Sequence, residues 1–255
     1  MSLTLARRYT PPGAPADFSP AALAADVIAA ARAHNRGGAK VVICGHSMGG
    51  RVAMRMAADF PGEIRACVVE DMDTRPRPAL TAFDYDALES FEPSGPSAAE
   101  VAARLTAAAP DVFTEARVAG YVERGRIMVG PDGETAVALV HPLGFALAYD
   151  AVLRSDDAAL AMVALSEMDP ATRPEMHFWR APPAGGELDE SDGGSSAAET
   201  DVERLKGLGG LKNRGWLNDA VFAGAGHSVH NTRQEAFVAA LAALVLDGKP
   251  AASEV

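Results

Sequence analysis

The sequence predicts an α/β fold, a partly parallel sheet with flanking helices, and three stretches carry that expectation. Residues 41–44, Val-Val-Ile-Cys, form a short continuous apolar run that fits a buried parallel strand. The run passes through Gly45-His46-Ser47-Met48-Gly49-Gly50 into Arg51, Val52, Ala53, Met54 and Met56, which read as a packed amphipathic helix. A second apolar run, residues 66–69, follows the stop signal Phe60-Pro61-Gly62 and ends in Glu70-Asp71-Met72-Asp73. Carboxylates at the C-terminal end of a buried parallel strand lie where open α/β sheets place their chemistry.

Taken in order, residues 1–18 are Pro-rich and irregular. Ser19-Pro20 then opens a helix, with Ser as N-cap and Pro at the first helical position, that runs through Leu23, Val27 and Ile28 to about His34. Asn35-Arg36-Gly37-Gly38 ends it before the first strand. The strand–helix alternation is interrupted over residues 74–169. There Ser97-Ala98-Ala99-Glu100 is a capping box opening an Ala-rich helix that stops at Pro110, and a further helix follows Thr114. Residues 126–129 and 135–140, joined by Gly130-Pro131-Asp132-Gly133, read as a hairpin. This block is expected to be a cap, with Phe83, Tyr85, Phe91, Phe113 and Tyr121 forming its core or an acyl pocket.

The core pattern resumes at Met176-His177-Phe178-Trp179. An acidic, Gly- and Ser-rich segment over 182–199 is expected to be a surface loop, and Thr200 a helix cap. Residues 219–223 form the last strand candidate. Gly224-Ala225-Gly226-His227 follows, and a capping box at Thr232-Arg233-Gln234-Glu235 should open a final helix burying Phe237, Val238, Leu241, Leu244 and Val245. The expected organisation is core over 1–73, cap over 74–169, core again over 170–247, and a tail at 248–255.

Composition narrows the function. A 255-residue chain that is 48% hydrophobic can bury one good core. Its net charge of −11 leaves no basic stripe to neutralise phosphates, so nucleic acid is excluded as a partner. No apolar run reaches the roughly 18 residues of a spanning helix, and the start lacks a secretory apolar core. A cytoplasmic location is expected. Arg7 and Arg8, with no acid before Asp17, make a mitochondrial or other organellar location the alternative. Cys44 and Cys67 sit in strand-like runs and are expected to be reduced core thiols.

The chemistry centres on Ser47. Gly45 and Gly49 give the G-x-S-x-G spacing, in which the strand turns sharply into the helix and exposes the serine hydroxyl above the sheet. Neither the Gly-Lys-Ser/Thr ending of a phosphate loop nor G-x-G-x-x-G is present. The Met48 N–H is positioned as an oxyanion donor at the helix N-terminus. A serine hydroxyl needs a neighbouring base, and among the six histidines His227 is the best placed, on a glycine-flanked turn after the last strand. His34 ends a helix, His46 is the spacer before Ser47, His141 and His177 lie in strand-like runs, and His230 sits nearest the final helix. A zinc site from His227 and His230 lacks both the i, i+4 spacing and an intervening glutamate, so no metal is expected. Two regions compete for the triad acid: Asp71 or Asp73 after the second strand, and Glu187, Asp189, Glu190 or Asp192 in the acidic loop. A triad acid must be held still, and strand position favours the first region.

The segment around Ser47 resembles the alpha/beta-hydrolase superfamily. From about Phe18 to Leu244 the chain is similar to the YbfF-type esterases and their mitochondrial relatives, on FSPAALAADV, GHSMGGRVAMRMA, VVEDM, the hairpin, and GAGHSVHNTRQEAF. The resemblance implies an alpha/beta-hydrolase fold and a serine hydrolase, a carboxylesterase or thioesterase acting on small to medium acyl esters without a cofactor. It implies Ser47 as nucleophile, His227 as base and Asp71 as acid. It also implies that strands of this fold and the His-Gly loop carrying a second oxyanion donor should precede Phe18. With those N-terminal strands absent, residues 41–44 become an exposed apolar edge through which the chain should self-associate. The alternative to an enzyme is a catalytically weak or inactive hydrolase-like protein acting as an interaction partner, or an incomplete gene product.

Overall fold

The computed structural model describes residues 17–35, 37–78, 84–110, 112–130, 134–139, 141–182 and 214–248. Phe83, the Pro131-Asp132-Gly133 turn, nearly all of the acidic segment and the helix expected from Thr200 lie outside the described residues.

In chain order, α1 (Pro20–His34) leads into β1 (Val41–His46), α2 (Met48–Asp59) and β2 (Ile64–Glu70). Then come α3 (Tyr85–Glu89), β3 (Ser94–Gly95), α4 (Ala98–Ala108), α5 (Glu115–Glu123), β4 (Ile127–Val129), β5 (Ala136–Ala138) and α6 (Pro142–Ala148). The chain closes with α7 (Asp157–Glu167), β6 (Glu175–Arg180), β7 (Leu217–Val221), α8 (Val229–Thr232) and α9 (Gln234–Ala242), the last extended by a π-helical turn over Ala243–Asp247.

These elements fall into two compact units: Arg77–Arg154 with the residues up to Ser19, and Pro20–Pro76 with Ser155–Val255. The second unit is built on a four-stranded, wholly parallel sheet in the order β1-β2-β6-β7. Strand β2 is central and buried along all but one of its residues, which explains its unbroken apolar run. Successive side chains point to opposite faces. Ala66 and Val68 join Trp179, Phe222, Val229, Phe237 and Leu244 in one buried cluster. Val69 points the other way, towards α2, and the space left by the missing side chain of Gly50 receives its Cγ1. Helices α1 and α7 pack against α2 on that side.

Several expectations are corrected here. Cys44 is exposed, because β1 has a strand neighbour on one side only among the described residues; Cys67, in the central strand, is buried, and burial pushes its thiol pKa up. Both are free. Thr232 does not cap the final helix: Arg233 holds that position without a side-chain hydrogen bond, and the Thr232 hydroxyl donates to the Ser228 carbonyl at 3.0 Å. In the last helix Phe237 and Leu244 are buried as expected, whereas Val238 and Val245 are exposed, on the side turned away from the cluster. Helix α7 belongs with the parallel-sheet unit. The last strand begins at Leu217, two residues before the predicted start.

The unit over Arg77–Arg154 has its own core of Phe91, Val101, Leu105, Phe113, Val118 and Ile127, with Tyr121 packed against it. Ser97 accepts the N–H of Glu100 at 3.2 Å and caps α4, as its sequence signature requires. Strands β4 and β5 form the expected antiparallel hairpin, with Ile127 opposite Ala138, and β3 pairs along the other side of β5. His141 is the cap of α6 rather than a strand residue; its Nδ1 accepts the Leu143 N–H at 3.3 Å. Tyr85 is more than one-third exposed and donates its hydroxyl to Asp150.

Candidate active site

Parallel pairing brings the C-terminal ends of β1 and β2 into register, His46 opposite Glu70, so the residues that follow them, Ser47 and Asp71, leave the sheet side by side. Both are forced into unusual backbone. Ser47 has φ 52 and Asp71 φ 45, the two non-glycine residues with positive φ among those described. Such conformations cost of order 1–3 kcal/mol each and persist where surrounding structure fixes them. Here the Ser47 N–H donates to the Glu70 carbonyl at 3.0 Å and the Asp71 N–H to that of Trp179 at 2.7 Å, so each strained residue is anchored to the next strand.

The turn from β1 into α2 depends on glycine. A Cβ on Gly45 would collide with the Gly49 carbonyl and lie 2.8 Å from the Gly50 nitrogen, whereas one on Gly49 would meet nothing within 4 Å. Of the two flanking glycines, only Gly45 is required by close approach. Met48 is the first residue of α2, and its N–H is among those a helix cannot satisfy internally. Ser47 is half-buried.

His227 follows β7 after Gly224, which takes φ 72 to turn the chain. The Gly226 N–H donates to the Thr232 hydroxyl at 3.1 Å, tying this loop to the end of α8. The structure places the His227 ring against Asp71, Nδ1 to Oδ2 at 2.7 Å, and the other oxygen of Asp71 accepts the Ala181 N–H at 3.2 Å. Asp71 is nearly fully buried. Asp73 turns elsewhere. It binds the buried guanidinium of Arg51, whose Nε also donates to the Asp73 carbonyl at 3.0 Å, and the Arg75 Nε at 2.7 Å. Glu187, Asp189, Glu190 and Asp192 lie outside the described residues.

A second imidazole–carboxylate pair, not foreseen from the sequence, stands beside the first. The Glu70 Oε1 takes both the backbone N–H of His230, at 2.9 Å, and its ring Nδ1, at 2.7 Å. His46 sits between the two pairs, its ring 4.9 Å from that of His227 and 5.1 Å from that of His230. Its Nε2 approaches the His227 carbonyl at 3.1 Å, and burial holds its imidazole below the ordinary histidine range. The usable signal in the sequence was the position of Glu70, a carboxylate at the end of a buried strand; its partner depends on a contact 160 residues away.

The alpha/beta hydrolase family profile matches residues 4–240, and the chain belongs to that family. Similar solved structures include an esterase from a marine microorganism, with TM-score 0.55 and 18% identity over 88% of this chain and 76% of that one. An E-2-(acetamidomethylene)succinate hydrolase gives 0.52 and 19%, over 90% and 75%. An esterase of Mycobacterium tuberculosis gives 0.53 and 21%, over 90% and 69%. No curated protein matches in sequence. The expected fold is thus the one found, and the hydrolase class comes with the family. No described helix is long and apolar enough to cross a membrane.

Proposed function

We propose that this alpha/beta hydrolase is a serine ester hydrolase that cleaves small to medium acyl esters or thioesters through an acyl-enzyme. The observation that carries the reading is the Asp71–His227 contact of 2.7 Å at the strand ends, beside a serine held at φ 52. Ser47 attacks the acyl carbonyl while His227 Nε2 takes its proton. Asp71 keeps the proton of His227 on Nδ1, and the Met48 N–H receives the developing oxyanion. His227 then protonates the leaving alkoxide or thiolate, and water repeats the sequence in reverse to free the acid. This deepens the family resemblance to YbfF-type esterases, and the solved relatives of the same fold named as esterases agree with it. The expected location remains cytoplasmic.

The test is a panel of p-nitrophenyl esters from acetyl to octanoyl and their thioester counterparts. The account predicts turnover falling off with long chains, lost in Ser47→Ala. Equal turnover in wild type and Ser47→Ala would remove the proposal.

A further inference from the structure

We propose that His46, Glu70 and His230 form a binding site for a divalent transition-metal ion, of the zinc type, whose occupancy inhibits hydrolysis. One ligand atom from each of the three lies within 4.8 Å of the others. The set is assembled by the backbone: His46 and Glu70 face each other across the β1–β2 ladder, and the backbone N–H of His230 donates to Glu70. Two imidazoles and a carboxylate are borderline and hard donors together, a set that suits zinc and its first-row neighbours better than magnesium or calcium, which take oxygen ligands. A tetrahedral ion with bonds near 2.0–2.2 Å wants its ligand atoms roughly 3.3 Å apart, so binding closes the wider gaps of the set, which reach no more than 4.8 Å, and opens the 2.7 Å contact between Glu70 and His230. Access is available from the His230 side, where that side chain is 39% exposed while Glu70 is 2% exposed.

The consequence for the reaction comes from chain position and rests on the serine-hydrolase reading above. His46 directly precedes Ser47, Glu70 directly precedes Asp71, and His230 is on the short helix that follows His227. Rearranging the three ligands around an ion therefore displaces the backbone that sets all three triad positions. His46 also holds the His227 carbonyl and lies 3.4 Å from the Ser228 hydroxyl, so turning its ring towards an ion is felt directly at the base. Since a triad misplaced by an ångström can lose about a hundred-fold in rate, such an ion acts as an inhibitor.

The experiment uses the full chain. Cobalt(II) is titrated and followed by its visible d–d absorption, zinc chloride is titrated by calorimetry, and p-nitrophenyl acetate hydrolysis is measured across the same zinc range. The comparison set is wild type, His230→Asn, Glu70→Gln and, as a control outside the cluster, His34→Asn, each checked by its melting curve. The proposal predicts one ion per chain with tetrahedral cobalt bands, affinity about ten-fold or more weaker in His230→Asn and Glu70→Gln, unchanged in His34→Asn, and zinc inhibition that follows the same order. Should Glu70→Gln fail to fold, His230→Asn, whose change is half-exposed, carries the comparison. Absence of binding in wild type, or affinity unaltered by His230→Asn, overturns the site. Binding with hydrolysis unchanged overturns its inhibitory role. Binding to a chain with no hydrolysis at all supports the site and counts against the serine-hydrolase reading, so the two fail separately.

Discussion

Replacing Asp71 by Asn probes the geometry at its most sensitive point. The two carboxylate oxygens have different tasks: Oδ1 accepts the Ala181 N–H at 3.2 Å and Oδ2 faces His227 Nδ1 at 2.7 Å. In Asp71→Asn the single remaining oxygen must stay opposite the Ala181 N–H, because an amide NH₂ there would meet another donor. The NH₂ then points at His227 and makes Nδ1 the acceptor. The imidazole proton moves to Nε2, the atom that has to accept the serine proton, and general-base catalysis is lost. In a serine protease of the same logic this tautomer change costs about 10⁴ in kcat, or roughly 5.4 kcal/mol of barrier. We expect a loss of the same order in the acylation rate, read by stopped-flow release of p-nitrophenol, with the melting temperature within a few degrees of wild type. The matching change Asp73→Asn should leave the rate within a few-fold, since Asp73 serves Arg51 and Arg75. Asp189→Asn and Asp192→Asn should do little. A loss below ten-fold in Asp71→Asn, with the fold intact, would refute the reasoning.

Gly45→Ala should abolish soluble folded protein or its activity, because the added methyl meets backbone, while Gly49→Ala should be neutral or stabilising by up to about 1 kcal/mol in α2; thermal melts of the pair decide it. Arg51→Met should destabilise the chain by about 1–3 kcal/mol in urea, since it removes one of the two guanidinium partners of the buried Asp73 carboxylate and leaves Arg75 as the other, and adding Asp73→Asn should recover part of that loss. Burial holds His141 and His177 below the ordinary histidine value of 6.5. The unfolded chain therefore takes up protons more readily than the folded one. Stability is unaffected above about pH 6.5 and falls below it, by up to about 1.4 kcal/mol per pH unit for each group. Denaturant melts of His177→Gln between pH 7 and 5 should show a shallower fall than wild type; an identical slope would contradict this.

Much of the site could be read from the chain because its parts are local. The change from the 41–44 run to the helix after Ser47 signals a strand, a turn and a helix within eighteen residues, and the structure has β1, Ser47 at positive φ and α2 there. The end of β2 narrowed the acid to Asp71 or Asp73, with the family resemblance choosing Asp71, and the glycines before His227 marked its turn. What stayed hidden depends on register and on neighbours distant in sequence. Nothing near His46 indicates that Glu70 lies opposite it, nor near Glu70 that His230 returns to it. Nothing next to Arg51 in sequence shows where its charge is satisfied; its guanidinium is buried because acceptors from the chain after β2, the carbonyls of Asp73 and Arg75, meet it. Cys44 has the same apolar context as Cys67 and differs in its strand's place, at one end of the order of the described strands rather than central, which composition cannot reveal. At Thr232 the capping signature is genuine in form, yet the hydroxyl is drawn into the His227 loop, where it ties that turn to α8.

The central claim is that Ser47 is an activated nucleophile, and the most direct measurement is covalent trapping. Wild-type protein is treated with a fluorescent fluorophosphonate, digested, and the modified peptide identified by mass spectrometry. The account predicts one adduct on the Ser47 hydroxyl, absent in Ser47→Ala and formed at least about a hundred-fold more slowly in His227→Ala. No adduct on a folded chain, or an adduct on a different residue, would contradict it.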